Sequence, residues 1–258
     1  ESCRGRHRPA CRAMPRGGAP AQTARMSASA SIPHLRRYLR PTGLECHDHA
    51  QWVLPVHGEL PFEVGGAGAH LDRLLGAFVA PGQTHDLEVL GDNCCLIVDC
   101  AAGVLDDDTL EHLRRRPWLA VPADMRQRLQ GLPGSRAMGD PLPHLLRHFA
   151  PAGSGARLQG VCMAVVAAPG LDWSVARMAA MAGVSGSRLH ALFVREFGLP
   201  PLAWVSAARL RWARQQLLGS DASISDIALR AGYSEHSAFA RALRRESGRT
   251  PRQWRARQ

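Results

Sequence analysis

His47 and His49 stand two residues apart, and His85 follows later in the same half of the chain. Alternate residues of a β-strand face the same side, so the first two imidazoles can point into one interior, where a third can join them. Three imidazoles are a sufficient set to hold a divalent metal ion. Gln51 and Val53 follow the pair, and Glu59 lies further along. The same histidines, with Gln51, serve equally well as the polar lining of a pocket for a small molecule, or as satisfied core residues.

The surrounding residues read as short strands. Apolar segments at 51–56, 60–64, 74–79, 85–90 and 94–98 are separated by turn residues at Gly65, Gly66 and Gly68, at Pro81 and Gly82, and at Gly91, Asp92 and Asn93. Regular short strands with such turns predict a small sandwich or barrel. The order of an HxH pair, then Gly58, then Pro81 to His85 resembles the two motifs of a cupin barrel. That resemblance implies a metal at His47, His49 and His85, or an effector pocket lined by His47, His49, Gln51 and His85. Residues 31–105 are accordingly expected to form a cupin-like sensor domain.

Residues 106–150 change character. The run 106–116 has acids first and bases last, as a helix dipole prefers, and 122–132 and 142–149 read as further helices. Leu145, Leu146 and Phe149 form an apolar stripe suited either to a partner helix in a homodimer or to plain core. The stretch 150–155 (APAGSG) is linker-like and marks the boundary to a C-terminal domain at 156–258.

That domain contains one pattern twice, offset by 49 residues at its start (175 to 224) and by 50 at its end (204 to 254). Val175, Met178, Ala179, Ala182, Gly183 and Ser185 recur as Ile224, Ile227, Ala228, Ala231, Gly232 and Ser234. Leu189, Phe193, Glu196, Gly198, Pro201 and Trp204 recur as Phe239, Leu243, Glu246, Gly248, Pro251 and Trp254. Each copy predicts a helix, a glycine turn and a second helix, which is a helix-turn-helix. Asp172 or Ser174 can cap the first helix and Ser185 or Ser187 the second. Residues 202–218 lack Gly and Pro and predict a continuous rod with Leu202, Leu210, Ala213 and Leu217 on one face. Such a rod, about 26 Å long at ~1.5 Å per residue, could set two recognition helices into adjacent major-groove turns ~34 Å apart. Val175, Met178, Leu189, Phe193, Leu210, Leu217, Ile227, Phe239, Leu243 and Trp254 are the expected core.

Charge follows the same division. Every one of the 32 basic residues is Arg, and net charge is +8 over residues 1–40, −7 over 41–150 and +9 over 151–258. An acidic middle joined to a basic end points to an anionic partner for the basic end only. The first 30 residues have too few large apolar side chains to order themselves and are expected to be a disordered basic tail, with Met26 as the expected natural start. The seven cysteines are odd in number and show no CxxC spacing, which argues against a disulfide framework or zinc knuckle and for reduced thiols in a cytoplasm. Mean hydropathy is −0.17, and no apolar run approaches a membrane span.

Residues 158–256 resemble the DNA-binding domain of the AraC/XylS family of transcription regulators. The second half carries the signature as Ile224, Ile227, Ala228, Gly232, Tyr233, Ser234, Phe239, Arg241, Glu246, Gly248, Pro251, Trp254 and Arg255. The resemblance implies base contacts from Ser187 and His190 in the first unit and from His236, Ser237 and Arg241 in the second. Ala191 stands where the family has an Arg. Arg188, Arg195, Arg244, Arg245, Arg249 and Arg252 are expected at phosphates, and Arg209 in a structural role. The expected fold is thus α+β: a cupin-like β-barrel with flanking helices, followed by an all-α domain of two helix-turn-helix units on a long linker helix. The expected function is sequence-specific regulation of transcription on double-stranded DNA, without catalysis, in response to a small-molecule effector and as a homodimer, with RNA polymerase as a further candidate partner. A metal-dependent cupin enzyme fused to a DNA-binding module is the alternative; the cupin resemblance implies that it needs an acid near Gln51 and Val53, where this chain has none, and Glu59 lies too far along.

Overall fold

The computed structural model describes residues 31–132, 139–151 and 155–256. The expected basic tail and residues 152–154 of the expected linker lie outside the described residues.

The N-terminal part is built on two antiparallel sheets. The larger contains β1 (Ser31–Arg36), β2 (Ala50–His57), β5 (Leu75–Val79), β7 (Cys94–Cys100) and β8 (Trp118–Ala120), in the order β1-β7-β2-β5-β8. The smaller contains β3 (Leu60–Val64), β4 (Ala67–Leu71) and β6 (His85–Leu87), in the order β4-β3-β6. Side-chain alternation divides the larger sheet into two buried faces. Val53, Ala77, Val79, Cys95 and Ile97 pack with Leu60, Phe62, Val64, Leu71 and Leu87 of the smaller sheet. Trp52, Leu54, Phe78, Leu96, Val98 and Cys100 point the other way, toward helices.

The expected closed barrel is not formed among the described residues. The sheets pack face to face but are not hydrogen-bonded into one closed sheet; an isolated bridge, Asp72 with Leu75, links the end of β4 to β5. Strand β4 was hidden in the sequence by its glycines. Gly65 and Gly66 both have positive φ, +59° and +82°, and Val64 pairs with Ala67 across them. This is the two-residue hairpin turn that Gly-Gly favours, so Gly68 belongs to the returning strand.

Helices α1 (Asp107–Arg115), α2 (Ala123–Gly131) and α3 (Leu142–Phe149) cover the second face of the larger sheet. Asp106 caps α1 by accepting from the Thr109 amide at 2.7 Å. Leu145 and Phe149 are 1% and 2% exposed within this core. Of the two roles open to this stripe, the plain-core one is what the structure shows, because the second face of the larger sheet requires cover.

The C-terminal part consists of α4 (Ala156–Ala167), α5 (Val175–Ala182), α6 (Gly186–Phe197), α7 (Pro201–Gly219), α8 (Ile224–Arg230), α9 (His236–Ser247) and α10 (Pro251–Arg255). Helix α7 has 19 residues and is about 28 Å long at ~1.5 Å per residue. Its first half packs Trp204, Val205 and Ala208 with Phe193 and Phe197. Its second half packs Leu210, Ala213 and Leu217 with Ile227, Phe239 and Leu243. Leu202, expected on that apolar face, is 54% exposed. It lies in the first turn of α7, where Trp204 and Val205 take the buried positions instead.

The repeat extends to individual hydrogen bonds. Val184 donates to the Ala179 carbonyl and Tyr233 to that of Ala228, both at 3.0 Å. Gly183 and Gly232 hold the turns at φ +66° and +83°, a backbone region in which a side chain is strained. Pro201 opens α7 and Pro251 opens α10, making α10 a short second copy of the rod's beginning.

Candidate nucleic-acid interface and sensor site

In each unit the second helix is held by its apolar face and leaves its polar face outward. Ser185 caps α6 by accepting from the Arg188 amide at 3.2 Å, and Leu189, Phe193 and Phe197 are buried. The same pitch leaves Ser187, Arg188, His190, Ala191 and Arg195 exposed. Ser174, rather than Asp172, caps α5. On α9, Phe239, Ala242 and Leu243 are buried, while His236, Ser237, Arg241, Arg244 and Arg245 are exposed. Arg252 is exposed on α10. Arg249 is half-buried, with its guanidinium 5.7 Å from the Trp254 ring centroid. Arg209 and Arg255 are structural: Arg209 donates to the Pro169 and Leu171 carbonyls at 3.0 Å each, and Arg255 donates to the Ala222 carbonyl at 2.6 Å.

The three histidines of the N-terminal part do come together. His47 and His49 stack at 4.1 Å between ring centroids, and His47 meets His85 at 5.0 Å. The acids beside them were not evident in the sequence. Asp99 Oδ1 accepts from Gln51 Nε2 at 2.8 Å and lies 3.5 Å from His49 Nε2; Glu45 Oε2 lies 3.6 Å from His85 Nε2. Asp99 pairs with Gln51 across β7 and β2, a register invisible without the sheet order. Among the described residues, the ligand atoms of His47, His49 and His85 are not gathered within one ion's reach, whereas those of Asp124, His144 and His148 are. Nor is the space between the sheets a hollow: Val53, Leu60, Phe62, Val79 and Ile97 fill it. The polar group occupies one margin of that core.

Burial, with the His47 charge second, pushes His85 down from 6.5 to about 4. An unfolded chain therefore takes up a proton below pH ~6.5 that the folded chain refuses until about pH 4. Stability should fall as pH drops through that window, and the slope of urea midpoint against pH should flatten in His85→Gln.

The two halves of the chain meet through polar links. Helix α7 packs on β4, and an added Cβ at Gly68 would lie 2.5 Å from Gln215 Nε2. Arg211 and Arg214, 2% and 0% exposed, reach the acids of the smaller-sheet side. Arg211 Nη1 is 3.3 Å from Asp72 Oδ2. Arg214 is 3.3 Å from Glu59, 3.7 Å from Asp72 and 2.5 Å from Glu246. Burial disfavours ionising Asp72, but the Arg211 and Arg214 charges outweigh it and hold its carboxyl below the usual range. Elsewhere, the Gln159 amide of α4 makes both backbone hydrogen bonds of Ala120 on edge strand β8, at 3.0 and 2.6 Å. Arg126 of α2 donates to the Phe197 carbonyl at the end of α6 at 2.6 Å.

A family model described as a helix-turn-helix domain matches residues 178–257. The chain is 39% identical over 80 residues to the HTH-type transcriptional regulator ExsA of Pseudomonas aeruginosa, covering 31% of this chain and 29% of that protein. It is 30% identical over 188 residues to an AraC-like transcription regulator of Streptomyces antibioticus, covering 67% of this chain and 60% of that protein. Among solved structures, an AraC-type transcriptional regulator from Chromobacterium violaceum matches at 32% identity and TM-score 0.39, over 41% of this chain and 94% of that one. The chain spans about three tenths of the length of the first curated relatives it matches. These relatives are named as regulators of transcription, not as enzymes. Among the described residues no helix is long and apolar enough to cross a membrane.

Proposed function

From the premise that this chain belongs to the AraC family, through its helix-turn-helix domain, we propose that it is a sequence-specific, DNA-binding regulator of transcription in the cytoplasm. The observation that carries this reading is the pair of helices α6 and α9, each buried on one face, exposed and basic on the other, and fixed to the single rod α7. A duplex offers major-groove faces on one side at ~34 Å intervals, the arrangement that two linked recognition helices can use.

In this reading Arg241 makes the bidentate contact to guanine, with His236 and Ser237 beside it, while Ser187 and His190 act from α6. Arg188, Arg195, Arg244, Arg245, Arg249 and Arg252 neutralise phosphates, which gives affinity without sequence choice. The two-sheet part acts as a cupin-like sensor, with an effector held at His47, His49, Gln51 and His85, and Asp99 and Glu45 supplying acceptors. The buried contacts of Arg211 and Arg214 support transmission from that part to α7, provided the effector has different affinity for the docked and released states. A homodimer and contact with RNA polymerase belong to the same proposal.

Fluorescence anisotropy on a selected site and on scrambled DNA tests it. Arg241→Ala should lose roughly 5–150-fold in affinity for the selected site, the equivalent of ~1–3 kcal/mol, and little for scrambled DNA. Arg244→Ala should weaken both alike and reduce the salt slope by about one. Equal loss of site preference in the two variants contradicts the assignment. Ala191→Arg should alter the preferred sequence of the first half-site in a selection from random DNA, because it adds a guanidinium where α6 has none.

A further inference from the structure

Asp124, His144 and His148 bring three ligand atoms within 4.8 Å of one another, far from the histidines of the sheet margin in sequence and on different elements. Asp124 sits in the first turn of α2. His144 and His148 are four residues apart on α3, so a helix presents both rings on one face. Asp124 Oδ2 lies 3.2 Å from His144 Nε2 and 3.4 Å from His148 Nε2. Those separations match the edge of a tetrahedron with metal–ligand bonds of ~2.0–2.1 Å, which is about 3.3 Å.

The orientation of His148 supplies the second argument. The residue is 3% exposed, and its Nδ1 lies 2.7 Å from Glu196 Oε1. An ionised carboxylate only accepts, so Nδ1 carries the hydrogen, and Nε2 is left facing the second carboxylate, Asp124. Both Nε2 atoms are buried and make no hydrogen bond. A cation seated between the two Nε2 atoms and Asp124 Oδ2 would give all three a partner. Glu196 then stands where outer carboxylates stand behind metal-bound histidines, fixing the tautomer and ring plane. The Asp124 side chain is 48% and that of His144 20% exposed, which leaves one side open for entry and for a fourth ligand.

We propose that Asp124, His144 and His148 bind a divalent transition-metal ion, with His148 positioned by Glu196. The ion joins α2 to α3, and through Glu196 both are tied to α6, so its occupancy stiffens the seat of the first recognition helix. The site stands independently of any DNA-binding role.

The test uses the full chain, stripped with a chelator and titrated with Zn(II) against a chromophoric competitor, with elemental analysis of the dialysed product. One zinc per chain is expected at this site. Asp124→Asn and His144→Gln, both at partly exposed positions, should each abolish stoichiometric binding while thermal unfolding in chelator stays as in the parent. Glu196→Gln should keep the stoichiometry and weaken affinity about 10–100-fold, as loss of an outer partner does. His49→Ala, at the other histidine cluster, should bind as the parent does. Absence of stoichiometric zinc, its retention in Asp124→Asn and His144→Gln, or its loss in His49→Ala would overturn the proposal.

Discussion

Arg214→Ala should lower unfolding free energy by about 3–5 kcal/mol, the usual loss when one partner of a buried ion pair is removed. The guanidinium is fully buried and serves three acids at once, Glu246, Glu59 and Asp72, with the Trp254 ring 5.8 Å away. Removing it strands negative charge in a low-dielectric junction, and that, more than the lost attraction, sets the size of the effect. The pH dependence follows from the same charges. Burial raises the pKa of Glu59 and Asp72, but the His70 hydrogen bond and the Arg214 charge hold the first below its ordinary value, and the Arg211 and Arg214 charges hold the second below its own. Depressed carboxylates contribute stability above their unfolded pKa and lose it as pH falls through the folded one. Without Arg214 those pKa values rise, so protonation relieves the stranded charge sooner. The deficit of Arg214→Ala relative to the parent should therefore shrink between neutral pH and the carboxylate range, as read from urea midpoints at each pH. A deficit independent of pH would mean that lost packing, not charge, dominates.

What could be read in the sequence divides along local and nonlocal lines. The helix-turn-helix copies were legible because capping serines, turn glycines and the 3.6-residue period are local signals, and Ser174, Gly183 and Gly232 stand where those signals put them. Strands β1, β4 and β8 carry no clear apolar alternation in the sequence: three of the five residues of β4 are glycine or alanine, and β8 has only three residues. Register was equally out of reach, and with it Asp99 beside Gln51. The same holds for Asp124. His144 and His148 could be placed on one helix face by spacing alone, but nothing local brings an acid twenty residues earlier against them. Arg211 and Arg214 carry no local sign of burial; the packing of α7 against β4 makes them interior. Glu196 and Glu246 are equivalent positions of the repeat, and both reach beyond their own helix, to His148 and to Arg214. The copies thus share a device for anchoring the second helix, applied to different neighbours.

Phe239→Ala should cost about 3–5 kcal/mol, the range for removing a buried aromatic ring, which corresponds to a fall in Tm of roughly 6–20 °C for a chain of this size. Phe239 is fully buried between α7, α8 and α9 with Leu210, Leu217 and Ile227, and the Tyr233 ring lies 5.5 Å away. This cluster is separate from the one around Phe193 and Trp204 in the first copy, so the damage should concentrate in the second unit. Protection from amide exchange should be lost in α8 and α9 and retained in α5 and α6. Selected-site DNA binding should drop toward the scrambled-DNA level and should not be restored by lowering the salt, because the helix that reads bases is no longer held. Arg241→Ala supplies the contrast. Its side chain is exposed, so Tm should stay within a degree or two of the parent while site preference falls. If Phe239→Ala retained site preference at a temperature where its second unit had lost exchange protection, α9 would not be the reading helix, and discrimination would have to come from α6.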